Sequence, residues 1–277
     1  MSKIVTEKPK SLNVDAYEII NIEYHEKNKE ALRKQYLNNS PFPYIAIDDF
    51  LVKGLAEELY ASIPTPKETN KSRDYIFAKN KFEISNMVNI SDNFKKLYDE
   101  LISERFSNLI SYVTNEDLFV DPKFHGGGLH LGGKDSFLDM HVDFNYHPSE
   151  PKWYRNVNLL LYLNQDWKPE YGGQLKLVDK RTKKGTSVDV PMNRLTIMPC
   201  RNYTLHGYDP INFPEGTYRT SIATYAYTIH DKPIEKPRST YWQTDNSPVK
   251  NLIGKAFLPL VTLKSKLFGS GTSNNHN

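Results

Sequence analysis

The apolar positions of this chain keep a helical period as far as about residue 118 and lose it beyond. Residues 1 to about 14 carry no period and read as a loose lead-in. Between Glu23 and Tyr36 a polar stretch carries Ala31, Leu32, Tyr36 and Leu37 at the spacing of one helix face, and Asn38-Asn39-Ser40-Pro41 stops it. Pro43 to Leu51 reads as a strand running into a turn. Lys53 to Ile63 follows as an amphipathic helix closed by Pro64 and Pro66. Tyr75-Ile76-Phe77 and Phe82-Glu83-Ile84 alternate enough for short strands. The strongest helix then follows, with Ser91 or Asp92 as its N-cap. Its broad stripe of Phe94, Leu97, Tyr98, Leu101, Ile102, Phe106, Leu109, Ile110 and Val113 needs a sheet or another helix to cover it.

From Leu118 onward short β-like segments are separated by Gly, Asn, Asp and Pro. They are Gly127–Leu131, Phe137–Val142, Val157–Asn164, Gln174–Val178, Ser187–Val190, Arg194–Met198, Tyr203–His206 and Arg219–Thr228. Such a series predicts a sandwich or jelly roll, and with the upstream helices an α+β, mostly β chain. Residues 231 to 250 are Pro-rich and polar, as in an extended segment lying on the domain. Gly269 to Asn277 has the composition of a disordered tail. Three regions result: a helical lead-in over 1–40, a domain over 41–230 with its β core at about 118–230, and a C-terminal extension over 231–277.

Composition narrows the function more by exclusion than by assertion. With 36 basic and 33 acidic residues the net charge is +3, which makes no electrostatic case for nucleic acid. The run Lys180-Arg181-Thr182-Lys183-Lys184 reads as a solvated hairpin tip. A single cysteine, Cys200, excludes an intramolecular disulfide, fits a reducing compartment and is expected to be a small packing residue. No signal-like segment opens the sequence and no apolar run is long enough to span a bilayer, so a cytoplasmic protein without a membrane partner is expected.

Chemistry concentrates in Asp139-Met140-His141-Val142-Asp143-Phe144. On a strand, His141 and Asp143 share one side while Met140, Val142 and Phe144 turn the other way, into a core. An imidazole and a carboxylate so placed form two-thirds of the two-His-one-carboxylate site of non-haem Fe(II) oxygenases; a hydrogen-bonded pair is the plainer alternative. A third ligand must come from a distant strand. His25 on the polar helix and His276 in the tail are set aside, and His206, just after the apolar strand Leu195–Met198, has the best context. His147 is a rival. Beyond His206, Arg219 opens a strand on which Ser221 faces the same way. Three ligands on one face of Fe(II) leave three positions, of which 2-oxoglutarate can fill two and dioxygen one; an Arg fork would then hold the far carboxylate.

With these residues in view, His141-Val142-Asp143, His206 and Arg219-Thr220-Ser221 resemble the Fe(II)/2-oxoglutarate-dependent dioxygenases. Arg155 to Asn164, followed by Asp166-Trp167 and Tyr171 to Leu177, is similar to their prolyl 4-hydroxylase-like branch, and the resemblance spans about residues 41 to 230. It implies a double-stranded β-helix (jelly-roll) core flanked by N-terminal helices. It implies a dioxygenase with Fe(II) on His141, Asp143 and His206, and 2-oxoglutarate on Arg219, Ser221 and Tyr162, the tyrosine before Leu-Asn. O2 is the oxidant and ascorbate a candidate reductant. Peptidyl proline is the first expectation for the substrate. The alternatives are a free amino acid, a sugar or a secondary metabolite, or a non-catalytic cupin-like binding protein. Asp143 argues against halogenation, where that ligand position is vacated for chloride. The family's further tyrosine, about ten residues before the first ligand, falls on Leu131 here. His130, Asn145, Tyr146, His147 and Trp153 are candidates for the pocket rim, and Gly172-Gly173 for a tight turn.

Overall fold

The computed structural model describes residues 8–9, 12–14, 16–67, 71, 74, 77–235, 238 and 240–243. The expected tail at Gly269 to Asn277 lies outside the described residues. The first helical stretch is two helices, α1 (Ile22–Lys27) and α2 (Lys29–Asn38). They part at Asn28, whose side-chain amide donates to the Tyr24 carbonyl at 2.8 Å. α3 (Leu55–Ala61) starts after Gly54, which sits at φ 88°.

The long apolar stripe is likewise carried on two helices, α4 (Asp92–Leu101) and α5 (Glu104–Thr114). Ser91 caps the first by accepting from the Phe94 N–H. Ser103 caps the second by accepting from the Phe106 N–H, and a residue spent as an N-cap has non-helical φ/ψ, which breaks the run. Both helices bury the stripe as predicted. Phe94, Leu97, Phe106, Ile110 and Val113 share one core with Val157, Leu159, Leu161, Ile197 and Ile222 of the sheet behind them.

The strands are β1 (Ile45–Ile47), β2 (Ala78–Ile84), β3 (Phe119–Val120), β4 (Gly128–Val142), β5 (Trp153–Tyr162), β6 (Leu175–Asp179), β7 (Gly185–Val188), β8 (Arg194–Pro199), β9 (Thr204–Tyr208), β10 (Arg219–Ile229) and β11 (Tyr241–Trp242). They pair antiparallel in the order β1-β8-β5-β10-β4-β9-β6-β7, with β2, β3 and β11 added at the sides. This nearly closed antiparallel barrel is the jelly-roll core flanked by helices. Alternation on β5 shows how it works: Val157, Leu159 and Leu161 face the helices, while Leu160 and Tyr162 pack inside with Leu175, Leu177 and Met198.

Two expected strands, Gly127–Leu131 and Phe137–Val142, are one. β4 passes through its Gly132-Gly133 stretch and a bend at Asp135 (φ 56°) without leaving the sheet. Its first part pairs with β10 and β2, its last part with β9 and β11, so this strand joins the two halves of the barrel. Of Tyr75-Ile76-Phe77 only Phe77 is described, and it lies in a turn. The Pro-rich segment does more than lie on the domain: Trp242 and Tyr241 add a short strand at His141 and Val142. No helix among the described residues is long and apolar enough to cross a membrane.

Candidate metal and co-substrate site

The last part of β4 runs beside β9, and a register shift between Leu138 and His141 brings His141 opposite His206. Gly207 permits the approach, since a Cβ there would lie 2.5 Å from the Leu138 carbonyl oxygen. Asp143 follows just after β4 ends. Its Oδ1 is 3.3 Å from His141 Nε2 and its Oδ2 is 3.5 Å from His206 Nε2. One donor atom from each of the three residues lies within 4.8 Å of the others. His147, the rival, is elsewhere: its Nε2 is 3.3 Å from Asp121 Oδ2 and its Nδ1 accepts from the Ser149 N–H.

The surroundings suit a divalent metal. His141 Nδ1 donates to the Asp139 carbonyl at 2.9 Å, which leaves the Nε2 lone pair facing Asp143. Asn158 Nδ2 donates to Asp143 Oδ2 at 2.6 Å and orients the carboxylate. Burial opposes ionisation of Asp143, but the imidazoles of His206 and His141 and the cation of Arg155 outweigh it and hold the carboxyl well below its usual range. Burial, followed by the neighbouring His141, lowers His206 to about 4, so its ring is neutral near pH 7. A carboxylate and two imidazoles converging on one side of a buried space are the donor set of a two-His-one-carboxylate metal.

A second cluster sits on the same inner wall. Ser221 of β10 lies opposite both Tyr162 of β5 and His130 of β4. Arg219, two residues earlier, is on the same face. Its Nε donates to the Gly173 carbonyl at 2.7 Å, and the Tyr208 ring stands 4.1 Å from its guanidinium carbon. Gly172 and Gly173 do form the expected turn (φ 71° and 77°), and Gly173 also seats the arginine: a Cβ there would come within 3.0 Å of Arg219 Cδ. The Tyr162 hydroxyl is buried beside this guanidinium, which can donate to its oxygen but leaves its proton without an acceptor. An anchored arginine next to an orphaned buried hydroxyl fits a carboxylate that supplies the missing acceptor.

Some placements differ from the sequence reading. Phe144 is not turned into the core: β4 ends at Val142, and the Phe144 ring stacks 3.5 Å from the Arg155 guanidinium carbon. Leu131 is buried in the core, and the residue that faces the site from this part of β4 is His130, in register with Ser221. Asn145 is taken up by the C-terminal segment, its Oδ1 accepting from the Arg238 N–H at 2.7 Å. Trp153 packs edge-on against Phe119, and Tyr146 forms a bridge with Tyr154. Cys200 is buried, as a packing residue should be. Sequence reasoning gave no role to Asn158, to Arg155, or to Trp242, whose indole packs 4.8 Å from the His141 ring and stacks on Phe77.

Residues 127–227 match the family model described as the 2OG-Fe(II) oxygenase superfamily. The match takes in most of the barrel core, and the superfamily it describes uses Fe(II), 2-oxoglutarate and O2, which the His141, Asp143 and His206 cluster suits. One similar solved structure is a prolyl hydroxylase from Trichoplax adhaerens in complex with a hypoxia inducible factor oxygen degradation domain peptide fragment. Its TM-score is 0.52 at 16% identity, covering 74% of this chain and 91% of that one. Another comes from work on prolyl 4-hydroxylases of Phytophthora capsici, with a TM-score of 0.52 at 19% identity, covering 79% of this chain and 68% of that one. At such identities the likeness is one of fold. No curated protein matches the chain by sequence.

Proposed function

We propose that this oxygenase is a hydroxylase in which His141, Asp143 and His206 hold Fe(II), while Arg219, Ser221 and Tyr162 hold 2-oxoglutarate. The observation that carries the reading is the convergence of the three donor atoms within 4.8 Å, on the barrel that also seats Arg219 beside the Tyr162 hydroxyl, whose proton has no acceptor. The bound metal and co-substrate, with O2, would supply the oxidising chemistry: 2-oxoglutarate and O2 would go to succinate and CO2, one oxygen atom of O2 entering succinate and the other turning a substrate C–H into C–OH. The chain's own residues supply position. Asp139 fixes the His141 tautomer, Asn158 steadies Asp143, and the Gly173 carbonyl anchors Arg219 through its Nε, leaving the outer nitrogens as the donors for the co-substrate. Burial of Tyr162, His206 and Arg219 keeps water out, which strengthens each of these contacts.

For the primary substrate, a prolyl ring is the reading that the branch resemblance and the shared fold support. The single buried Cys200 suits a reducing, cytoplasmic setting. An anaerobic titration with Fe(II) and 2-oxoglutarate is expected to raise a visible charge-transfer band, and aerobic turnover to release succinate. His141→Ala should lose both. A cupin-like binding protein or a zinc hydrolase would show neither, and full 2-oxoglutarate turnover by His141→Ala would refute the ligand assignment.

A further inference from the structure

β4 ends at Val142, so the next residue but one to His141, Asp143, has no strand of its own to fix it. The chain beyond β10 supplies what β4 does not. Trp242 stands opposite His141 and Tyr241 opposite Val142, and the Gln243 N–H donates to the Met140 carbonyl at 2.8 Å. Three residues back from Tyr241 is Arg238, and three residues on from Val142 is Asn145. These two meet as the same antiparallel register requires. The Asn145 N–H donates to the Arg238 carbonyl at 3.2 Å, and the Arg238 N–H donates to Asn145 Oδ1 at 2.7 Å. Arg238 and the stretch Tyr241 to Gln243 therefore border residues 140–145 in one register, and they lie beyond the residues 127–227 that the family model matches.

Arg238 adds a third bond through its side chain. Its Nη2 donates to the Asp143 carbonyl at 2.8 Å. Asp143 is thus held twice, at its backbone by Arg238 and at its carboxylate by Asn158, whose Nδ2 donates to Oδ2 at 2.6 Å. The Asn145 end of the clasp is firm: Asn145 is buried, and its carbonyl accepts from the Arg155 N–H of β5 at 3.0 Å. A cationic donor makes a stronger hydrogen bond to a carbonyl than a neutral one does. One residue of the C-terminal segment therefore places three hydrogen bonds on the three-residue stretch that carries the carboxylate ligand.

We propose that Arg238 is a positioning residue of the metal centre: with Asn145 it fixes where Asp143 stands, so that docking of the C-terminal segment and metal affinity are coupled. This rests on the proposed function, in which Asp143 is a ligand of Fe(II). Arg238 does not touch the metal; it acts through the Asp143 backbone. The coupling runs both ways. Whatever factor the docked segment adds to metal affinity, bound metal adds to the docking of the segment. A metal centre whose other ligand-bearing strands lie inside the matched region is then completed from outside it.

The test uses the full chain under nitrogen, titrated with Fe(II) and then, at saturating metal, with 2-oxoglutarate. A native chain that takes up no Fe(II) would sink the proposed function, and the remaining arms apply to protein that binds it. Arg238→Ala is expected to lower Fe(II) affinity about 10- to 100-fold and to leave 2-oxoglutarate affinity at saturating metal nearly unchanged. Arg238→Lys keeps a cationic donor for the Asp143 carbonyl and should recover part of the loss. A second arm uses the native chain and decides the matter should the variants fail to fold. Lys232 and Lys236 both precede proline, so within residues 231–243 trypsin cuts after Arg238, which must leave Asp143 to enter the protease. That cut, read by mass spectrometry, is expected to slow about 10- to 100-fold when Fe(II) is added, while cutting after Lys53, exposed before α3, keeps its rate. Equal Fe(II) affinity in Arg238→Ala, a loss that Arg238→Lys does not lessen, or a cut after Arg238 that does not respond to Fe(II) would overturn the proposal and leave Arg238 a fastening of the C-terminal segment only.

Discussion

Replacing Tyr162 by Phe should move two quantities in opposite directions. Tyr162 is buried at 1% exposure, and its hydroxyl lies beside the Arg219 guanidinium, which can donate to its oxygen but offers no acceptor for its proton. A buried donor left unsatisfied costs about 1–3 kcal/mol, so removing one oxygen from an otherwise unchanged ring should stabilise the metal-free protein, by about 1 kcal/mol. In the loaded enzyme the same hydroxyl would donate to the far carboxylate beside Arg219. A hydrogen bond to a charged acceptor contributes about 1.5–3 kcal/mol, or about 10- to 150-fold in affinity. Tyr162→Phe should therefore unfold at slightly higher urea and bind 2-oxoglutarate one to two orders of magnitude more weakly. Urea denaturation followed by circular dichroism gives the first quantity, and anaerobic titration of the visible band gives the second. Unchanged 2-oxoglutarate affinity would remove Tyr162 from the co-substrate site, and a destabilised metal-free protein would show that the hydroxyl is satisfied by something else.

Asn158→Ala deprives Asp143 of its 2.6 Å donor, and Fe(II) affinity should fall about 10- to 100-fold in a metal titration with little change in 2-oxoglutarate affinity at saturating metal. Gly173→Ala places a Cβ 3.0 Å from Arg219 Cδ at a backbone φ of 77°; a loss of about 1–3 kcal/mol in urea and weaker 2-oxoglutarate binding are expected together. Burial, aided by Lys81, lowers His130 to about 4, whereas in the unfolded chain it takes its proton near 6.5. The folded state therefore holds fewer protons between these values, and this contribution to stability, present above pH 6.5, is lost as the pH falls toward 4. A smaller drop in urea midpoint from pH 7 to pH 5 for His130→Asn than for the native chain would bear this out; an equal drop would refute it.

How far the site could be read ahead of the structure depended on whether alternation survived. Arg219 and Ser221 lie on unbroken β10, and the rule that i and i+2 share a face placed them correctly. His141 and Asp143 were paired correctly although β4 ends between them, because the donors converge through the chain just beyond the strand. The same ending defeated the rule for Phe144. Arg155 was invisible for a related reason: a single inserted residue at Asn156 inverts the parity of everything before it, and no residue type there announces a bulge. Asn158 was within reach, being four residues before Tyr162 on one face, but the carboxylate it serves comes from another strand. The break between α4 and α5 did leave a local signal: Ser103, three residues before Phe106, is an N-cap inside an apolar stripe that is otherwise continuous. Which sheet the stripe covers was not encoded locally at all.

The pairing of β11 with β4 has a consequence for the order in which the site is built. His141 and Asp143 leave the ribosome well before His206, and the indole that walls His141 on its other side comes later still, at Trp242. The chain as far as β10 supplies all three donor atoms without it, so during synthesis there is an interval in which the ligands can gather while the Trp242 indole is not yet beside His141. Metal that enters in that interval meets a looser, wetter site than metal that enters after residue 243 has emerged and bonded to the Met140 carbonyl. The finished enzyme thus has a time-ordered wall: its last described strand seals a centre whose ligands were translated roughly a hundred residues earlier in the case of His141.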